Sequence, residues 1–491
     1  MQGLVKRLLF GGIAGKVLGV LRELVAAWCF GTGLVANAYR LAQAAFLLPL
    51  HGFVSDVISG AFTPHYARLR ADDPEAAQRL FAAMQRALLV VSVLVGIGLM
   101  LWGNQLVAVM APGFSAEARA LSAQFVTVLA PALPAYVLVG LYGGTELVHG
   151  AGRILAARAS VQSAGLLLGT LAAWSLNKPI LIAIGFAAAY FGLLIWALLI
   201  NRSLGLLFFQ KIGTWQHWKE ALGPVLRVFA VLMWVPLALQ VSQIVERRIA
   251  SGLNANAVAA LDYARFITET LLILIAMPFG MAGQAAMPTM DETTFKRYAI
   301  GSLRTLIVVG TPLSVFLWSQ SQLIVEVAFK RGAFTDQSVA VTSTILSAQA
   351  LGIVFLLLAY VAQKFLNARG RNIAVLWTAA IGATASVLVN QFFQSQFGVA
   401  VLGISVVVSG ACIALLACQM LGVLGSLLRS TWALLLVGLA HALMVVVCRA
   451  VAGRNAALEL SAGLLFWAAL FTFHNESRKV ISSGLTAIRR K

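Results

Sequence analysis

The feature that most constrains this chain is the recurrence of apolar stretches of 18 or more residues, broken only by short polar connections. Each stretch is long enough to cross a hydrocarbon layer of about 30 Å as a helix. Lipid offers no partner to backbone amides, so such runs must be helices that satisfy their own hydrogen bonds. With 60% hydrophobic and only 11% charged residues, the 491-residue chain lacks the charges to cover a water-facing surface. The expected spans are 8–30, 35–58, 86–110, 121–147, 154–176, 179–201, 224–246, 257–282, 299–328, 338–366, 373–395, 400–427, 431–451 and 457–473. The reading is an all-α membrane protein of about fourteen transmembrane helices. The longest connections, 64–85 and 202–222, are too small for a soluble domain.

The net charge of +19 would suggest nucleic acid in a soluble protein. Here the charges sit in connections. Starting with a cytoplasmic N-terminus, about 24 Lys/Arg fall on the cytoplasmic side, about 8 outside and about 4 within spans. An even number of spans returns Arg478, Lys479, Arg489, Arg490 and Lys491 to the cytoplasmic side. Topology therefore accounts for the charge, and no nucleic-acid partner is expected. The first apolar run contains Lys16, Arg22 and Glu23, unlike a cleavable signal peptide. Cys29, Cys412, Cys418 and Cys448 lie in apolar segments without metal-ligand spacing and read as small hydrophobes.

The chain repeats itself at an offset near 219 residues. Gly33-Leu34-Val35-Ala36-Asn37-Ala38 recurs as Gly252-Leu253-Asn254-Ala255-Asn256-Ala257. Pro112-Gly113-Phe114-Ser115 has a counterpart in Gly332-Ala333-Phe334-Thr335, and His149-Gly150-Ala151-Gly152-Arg153 in Asn367-Ala368-Arg369-Gly370-Arg371. Six spans separate the copies. An even number preserves orientation, so these are parallel repeats about an axis along the membrane normal. The expected domains are a six-helix lobe over 1–210, a second over 211–428, and a two-helix extension with a basic tail over 429–491. In transporters such repeats hold substrate near mid-membrane, and rocking alternates its access.

Ionisable residues inside a bilayer cost about 2.5–3.5 kcal/mol each on insertion scales, which makes them candidates for function. Span 1 carries Lys16 and Glu23, seven apart on one face, with Arg22 adjoining; span 2 carries Asn37 and Arg40. Span 8 carries Asp262, Arg265 and Glu269 as one polar stripe. Lining a water-filled cavity, Lys16, Arg22, Arg40 and Arg265 would suit an anionic ligand, since arginine forks match phosphate oxygens. The competing reading is local pairing, with Arg22 neutralising Glu23 and Arg265 bridging Asp262 and Glu269. Glu146 and His149, Asp56, and Glu246-Arg247-Arg248 read as solvated span ends. Pro49 with Gly52, and Pro278 with Gly280, are candidate bends. No catalytic constellation, metal spacing, phosphate-cradling loop or dinucleotide fingerprint is present, so a transporter without cofactor is expected rather than an enzyme. Asn390 is the one polar hint of a coupling-ion site.

These residues resemble the MviN/MurJ family of lipid II flippases, in the superfamily that includes MATE-type exporters and Wzx-type polysaccharide flippases. Lys16-Val17-Leu18-Gly19-Val20-Leu21-Arg22-Glu23 is similar to that family's span 1 string. Phe30-Gly31-Thr32-Gly33 followed by Ala36-Asn37-Ala38, Gly60-Ala61-Phe62-Thr63-Pro64, and Arg331-Gly332-Ala333-Phe334-Thr335 resemble three further strings. The resemblance covers roughly the first 370 residues. It implies a V-shaped pair of six-helix lobes with a cationic central cavity, in the bacterial cytoplasmic membrane, both termini inside. It implies flipping of an undecaprenyl-pyrophosphate-linked saccharide for cell-envelope assembly, including peptidoglycan biosynthesis. Lys16 and Arg22 would take the places of arginines that engage pyrophosphate, with Arg265 near a third. The expected partners are that lipid-linked oligosaccharide, the lipid bilayer and envelope-synthesis proteins, for a protein expected to be a monomer. Gly15-Lys16 stands where the family has serine-arginine, Asn37 where it has aspartate, and Val54, Ser55 and Ser59 where it has an arginine pair and a glutamate. These departures keep open a Wzx-like flippase of an exopolysaccharide or capsule precursor. A MATE-type exporter of organic cations would want carboxylates where this chain has cations.

Overall fold

The structure, a computed structural model, describes residues 2–50, 58, 61–206, 218, 222–227, 234–287, 290–453 and 455–473. Gly52, Asp56, the departures at Val54, Ser55 and Ser59, the 210/211 boundary, most of the 202–222 connection and the basic tail from Arg478 lie outside these residues.

The described chain is helical, with no strand among the described residues. The helices are α1 (Gln2–Phe30), α2 (Leu34–Leu50), α3 (Thr63–Asp72), α4 (Pro74–Met110), α5 (Ala116–Leu129), α6 (Leu133–Val148), α7 (Arg153–Ser175), α8 (Leu181–Ser203) and α9 (Trp234–Leu253). They continue as α10 (Ala257–Ala286), α11 (Glu292–Ser319), α12 (Ser321–Phe329), α13 (Asp336–Ala350), α14 (Ile353–Ala368), α15 (Asn372–Phe397), α16 (Val401–Met420), α17 (Leu424–Ala452) and α18 (Ala456–Phe473). Each expected span overlaps one of these helices or a consecutive pair. Among the described residues, seven helical stretches are long and apolar enough to cross a membrane, or up to nine if each of two bent pairs is one span. α1 carries Lys6, Arg7, Lys16, Arg22 and Glu23, which takes it outside that criterion, and α2 has only 17 residues.

Several expectations at span ends are corrected. α9 does not stop at the charges Glu246-Arg247-Arg248 but runs on to Leu253, and Glu246 and Arg247 are buried. Hydropathy reads a charge as an ending, whereas the helix continues because protein rather than water surrounds it. Glu146 is fully buried too: Arg153 Nε donates to its Oε1 at 2.7 Å and the Ile154 amide to its Oε2 at 2.8 Å. That carboxylate satisfies one of the open amides at the start of α7 and meets the positive end of its dipole. α10 passes through Pro278 without interruption. The clear bend, 58°, falls instead between α13 and α14, where Gly352 packs so close to Val407 that a Cβ would sit 2.5 Å from its methyls.

By contacts the chain divides into two compact units, Met1–Ala259 with Phe329–Thr335, and Ala260–Ala328 with Asp336–Lys491. In the first, small residues let backbones meet. Gly11, Gly15 and Gly19, one turn apart on α1, face Ala156, Ala159 and Ser163 on α7. A Cβ on Gly11 or Gly15 would lie 2.7 Å from an alanine Cβ of α7. α7 then meets α8 through Gly165, Gly169 and Gly185, where a Cβ on Gly169 would lie 2.7 Å from the Leu181 carbonyl. Gly15→Val is expected to lower stability by about 1–3 kcal/mol through overpacking, read as a lower melting temperature of the purified protein. Gly12→Val, which meets no atom within 4 Å, is the neutral control.

Two repeat-related loops are also docked within this unit. The Gly113 amide donates to Ser251 Oγ at 3.3 Å, beside the α9–α10 corner. The Ala333 amide donates to the Trp28 carbonyl at 2.9 Å, beside the α1–α2 corner. Each loop therefore packs on the corner of the other sequence copy. Gly332 has φ +59° and Gly31 φ +54°, so both positions need the left-handed freedom of glycine.

The second unit is centred on α11, α14 and α16, with Leu303, Leu306, Ile353, Leu357, Phe365 and Ala417 in its core. Its last two helices are tied in by charge: Arg449 on α17 donates from Nε and Nη2 to Glu459 on α18 at 2.8 and 3.0 Å, and from Nη2 to the Ser319 carbonyl at 2.7 Å. Gln320 donates to the same carboxylate at 3.1 Å.

Candidate functional site

The site is built by the α1–α2 corner. α1 ends as the Gly31 amide closes on the Ala27 carbonyl at 2.9 Å, and Gly33 turns the chain back. Asn37 then fastens the turn. Its amide nitrogen donates to the Thr32 and Gly33 carbonyls, the latter at 2.9 Å. Its oxygen accepts from the Ala259 amide at 2.8 Å, in the first turn of α10. The side chain is 2% exposed and its hydrogen-bonding capacity goes to backbone. An aspartate could accept from Ala259 but could not donate to the two carbonyls, so asparagine suits this corner.

The reversal brings Arg40, seventeen residues later, back to Glu23. Glu23 is 2% exposed and lies between two guanidiniums. Arg22 donates to Oε1 from Nε at 3.1 Å and from Nη2 at 2.6 Å. Arg40 donates to Oε1 at 3.3 Å and also to Oε2. Local pairing of Arg22 with Glu23 is thus real, but it does not end the matter. One carboxylate thus serves two arginines rather than one. A cation held this way in a low-dielectric setting is a standing attraction for an anion. The side chain of Arg22 remains 21% exposed and that of Arg40 13%, so both can be reached.

Lys16 lies two turns before Glu23 on α1, about 10 Å along the axis. It is exposed and takes no hydrogen-bond or ion-pair partner among the described residues. Asp262, Arg265 and Glu269 fall on one side of α10 in the second unit, the first two half-buried and Glu269 exposed. Of the residues singled out from sequence, the structure therefore joins Arg22, Glu23 and Arg40, with Asn37 bracing the turn that carries them. Sequence reasoning passed over Arg158, inside span 5, although the same rule about membrane-buried charge would have flagged it. It also passed over the Arg449–Glu459 pair, whose members stood at the ends of two apolar runs.

A family model described as Lipid II flippase MurJ matches residues 26–471. A probable lipid II flippase MurJ from Synechocystis sp. is 26% identical over 416 residues, covering 79% of this chain and 75% of the relative. Among solved structures, a lipid II flippase MurJ in an inward closed conformation superposes with a TM-score of 0.81 at 17% identity, over 96% of this chain and 99% of that one. An inward-facing multidrug resistance MATE family transporter of the MOP superfamily superposes with a TM-score of 0.63 at 15% identity, over 88% and 96%. These superpositions concern the fold, which is that of MurJ and MATE transporters.

Proposed function

The chain belongs to the lipid II flippase MurJ family, and from that premise we propose that it flips an undecaprenyl-pyrophosphate-linked saccharide of the lipid II kind across the bacterial cytoplasmic membrane. The observation that carries the reading is the cluster of two arginines around a single buried carboxylate. An incoming pyrophosphate competes with Glu23 for the guanidinium edges of Arg22 and Arg40, and Lys16 adds a point charge on the same helix. The anion is bound without stripping either arginine of a partner, because Glu23 stays within reach of one while the phosphate takes the other. Asn37 positions the corner rather than touching ligand. Arg265 on α10, flanked in sequence by Asp262 and Glu269, is a further candidate for contact with the anion. A site built on Lys16, Arg22 and Arg40 disfavours organic cations, the cargo of MATE-type exporters.

The internal repeat supports fourteen crossings in two six-helix lobes, 1–210 and 211–428, followed by the extension 429–491, with both termini cytoplasmic. Transport proceeds by alternating access. Outward movement of the anionic head is favoured by an inside-negative potential, at about 2.3 kcal/mol per charge per 100 mV. Lys16 and Asn37, where the family string has arginine and aspartate, favour a second reading in which the saccharide is an exopolysaccharide or capsule precursor. Depletion of a host's lipid II flippase with expression of this chain tests the first. Restored growth supports it; failure to rescue with the protein present in the membrane sinks it, and loss of one surface polysaccharide on deletion selects the second.

A further inference from the structure

Arg158 on α7 stands apart from the cations described so far. Arg22 and Arg40 share Glu23, and Arg153 has Glu146. Arg158 makes no ion pair among the described residues, although it lies inside an apolar span. Its guanidinium lies over the Tyr136 ring, 4.4 Å from the centroid, and 5.8 Å from that of Tyr190. Nε donates to the Tyr190 hydroxyl at 3.4 Å, and that hydroxyl donates to Gln162, one turn along α7, at 2.7 Å. Beneath them Phe46 and Phe186 close an aromatic floor, with Phe186 4.9 Å from Tyr190. Every partner of the charge is neutral.

Stacking satisfies the flat face of a guanidinium, whereas its five N–H bonds lie in the plane at its edge. Nε is engaged by the Tyr190 hydroxyl. Arg158, Gln162 and Tyr136 are all half-buried, so none of the three is sealed in the lobe. An arginine kept charged in a membrane span, pre-oriented by rings and supplied with no carboxylate, is arranged for an anion that comes and goes. The depth fits as well. Gly11, Gly15 and Gly19 pair in parallel with Ala156, Ala159 and Ser163, which sets Arg158 level with residues 13–14 of α1. That is about 14 Å along α1 from Glu23, towards the N-terminal end, with Lys16 between.

We propose that Arg158, with Gln162 and Tyr136, is a second binding station for a lipid phosphate, which receives the diphosphate head before Lys16 and the Arg22–Glu23–Arg40 cluster do. The order of stations rests on the flippase reading above; the station itself rests on the geometry around Arg158. A phosphate on a lipid tail could come from the isoprenoid carrier or from a glycerophospholipid, and the two are separable.

The test uses the purified full chain in maltoside micelles, which contain no phosphate. Phenylglyoxal modification of each arginine is followed by peptide mass spectrometry, alone or with a short-chain isoprenyl diphosphate or phosphatidylglycerol. At ligand tenfold above its dissociation constant, modification of Arg158 is expected to slow by about tenfold. Protection by the diphosphate alone identifies the carrier; protection by phosphatidylglycerol as well supports the station but assigns it to bulk lipid. Protection of Arg22 and Arg40 without Arg158 overturns the inference and leaves the flippase reading standing. Protection of none counts against both. In a binding assay, Arg158→Gln should weaken the diphosphate by about tenfold or more, the order of one charge-assisted fork, and Arg158→Lys by less. A folded Arg158→Gln protein that binds like wild type also overturns the inference. Should that variant fail to accumulate, footprinting of the wild type decides by itself.

Discussion

Arg22→Ala is expected to reach the membrane at near wild-type level and to lose transport, whereas Glu23→Ala is expected to lose the protein as well. The difference follows from the stoichiometry of the cluster. Without Arg22, Glu23 keeps the two-point contact from Arg40, so the buried carboxylate stays paired while one of the two anion-facing cations is gone. The structural cost is that of one charged hydrogen-bonded contact, about 1.5–3 kcal/mol. Without Glu23, both guanidiniums lose the buried carboxylate they share. Removing one partner from a buried charge cluster costs about 3–5 kcal/mol, a large part of a total stability of about 5–15 kcal/mol. Immunoblots of membranes, with rescue of a flippase-depleted host, separate the two outcomes. Normal rescue by Arg22→Ala would remove the case for a cationic site; normal accumulation of Glu23→Ala would show that the cluster is not buried as described.

Gly332→Val is expected to be comparably severe, for a different reason. Residue 332 has φ +59°, which a β-branched residue resists, and any Cβ there runs into Trp28, with the indole Nε1 2.8 Å away. Backbone strain of about 1–3 kcal/mol and a similar overpacking penalty both apply. Gly113→Val in the counterpart loop keeps the second penalty, since its Cβ would lie 2.5 Å from the Ser251 carbonyl carbon. Gly252→Ala meets no atom within 4 Å and is expected to be silent. Thermal unfolding of the three purified variants should rank them Gly332→Val, Gly113→Val, Gly252→Ala; equal melting temperatures would show that these loops hold nothing.

Membrane helices were legible because their signal is dense: a window of eighteen apolar residues has few alternatives in lipid. Their ends were less so, because a charge carries two meanings. Glu246 and Glu146 looked like the edge of the bilayer and proved to be buried; for Glu146, hydropathy registers the charge but not the amide and guanidinium that receive it. The bend at Gly352 was equally hidden, because it depends on the Val407 side chain of another helix. At the site, Arg22 and Glu23 were readable as neighbours on one helix. Their link to Arg40 required the geometry of the α1–α2 corner, and the role of Asn37 required an amide 222 residues away. Arg158 could have been read by the rule that selected Lys16; its aromatic setting, drawn from three helices, could not.

The crossed docking of the two loops has a consequence for biosynthesis. Gly113 has no surface to settle on until Ser251 has been made, and Trp28 waits for Ala333, some three hundred residues later. At about 5–20 residues per second, the chain between them takes roughly 15–60 s to synthesise. The first helices must therefore enter the membrane and remain there with their corners uncapped, while the glycine seams of α1, α7 and α8 hold them together. Those seams are complete once α8 has been made, well before translation ends; the loops are the last pieces to engage. A nascent chain arrested before residue 333 should thus be stably inserted yet open to protease at the α1–α2 corner, and release of a few dozen more residues should close it.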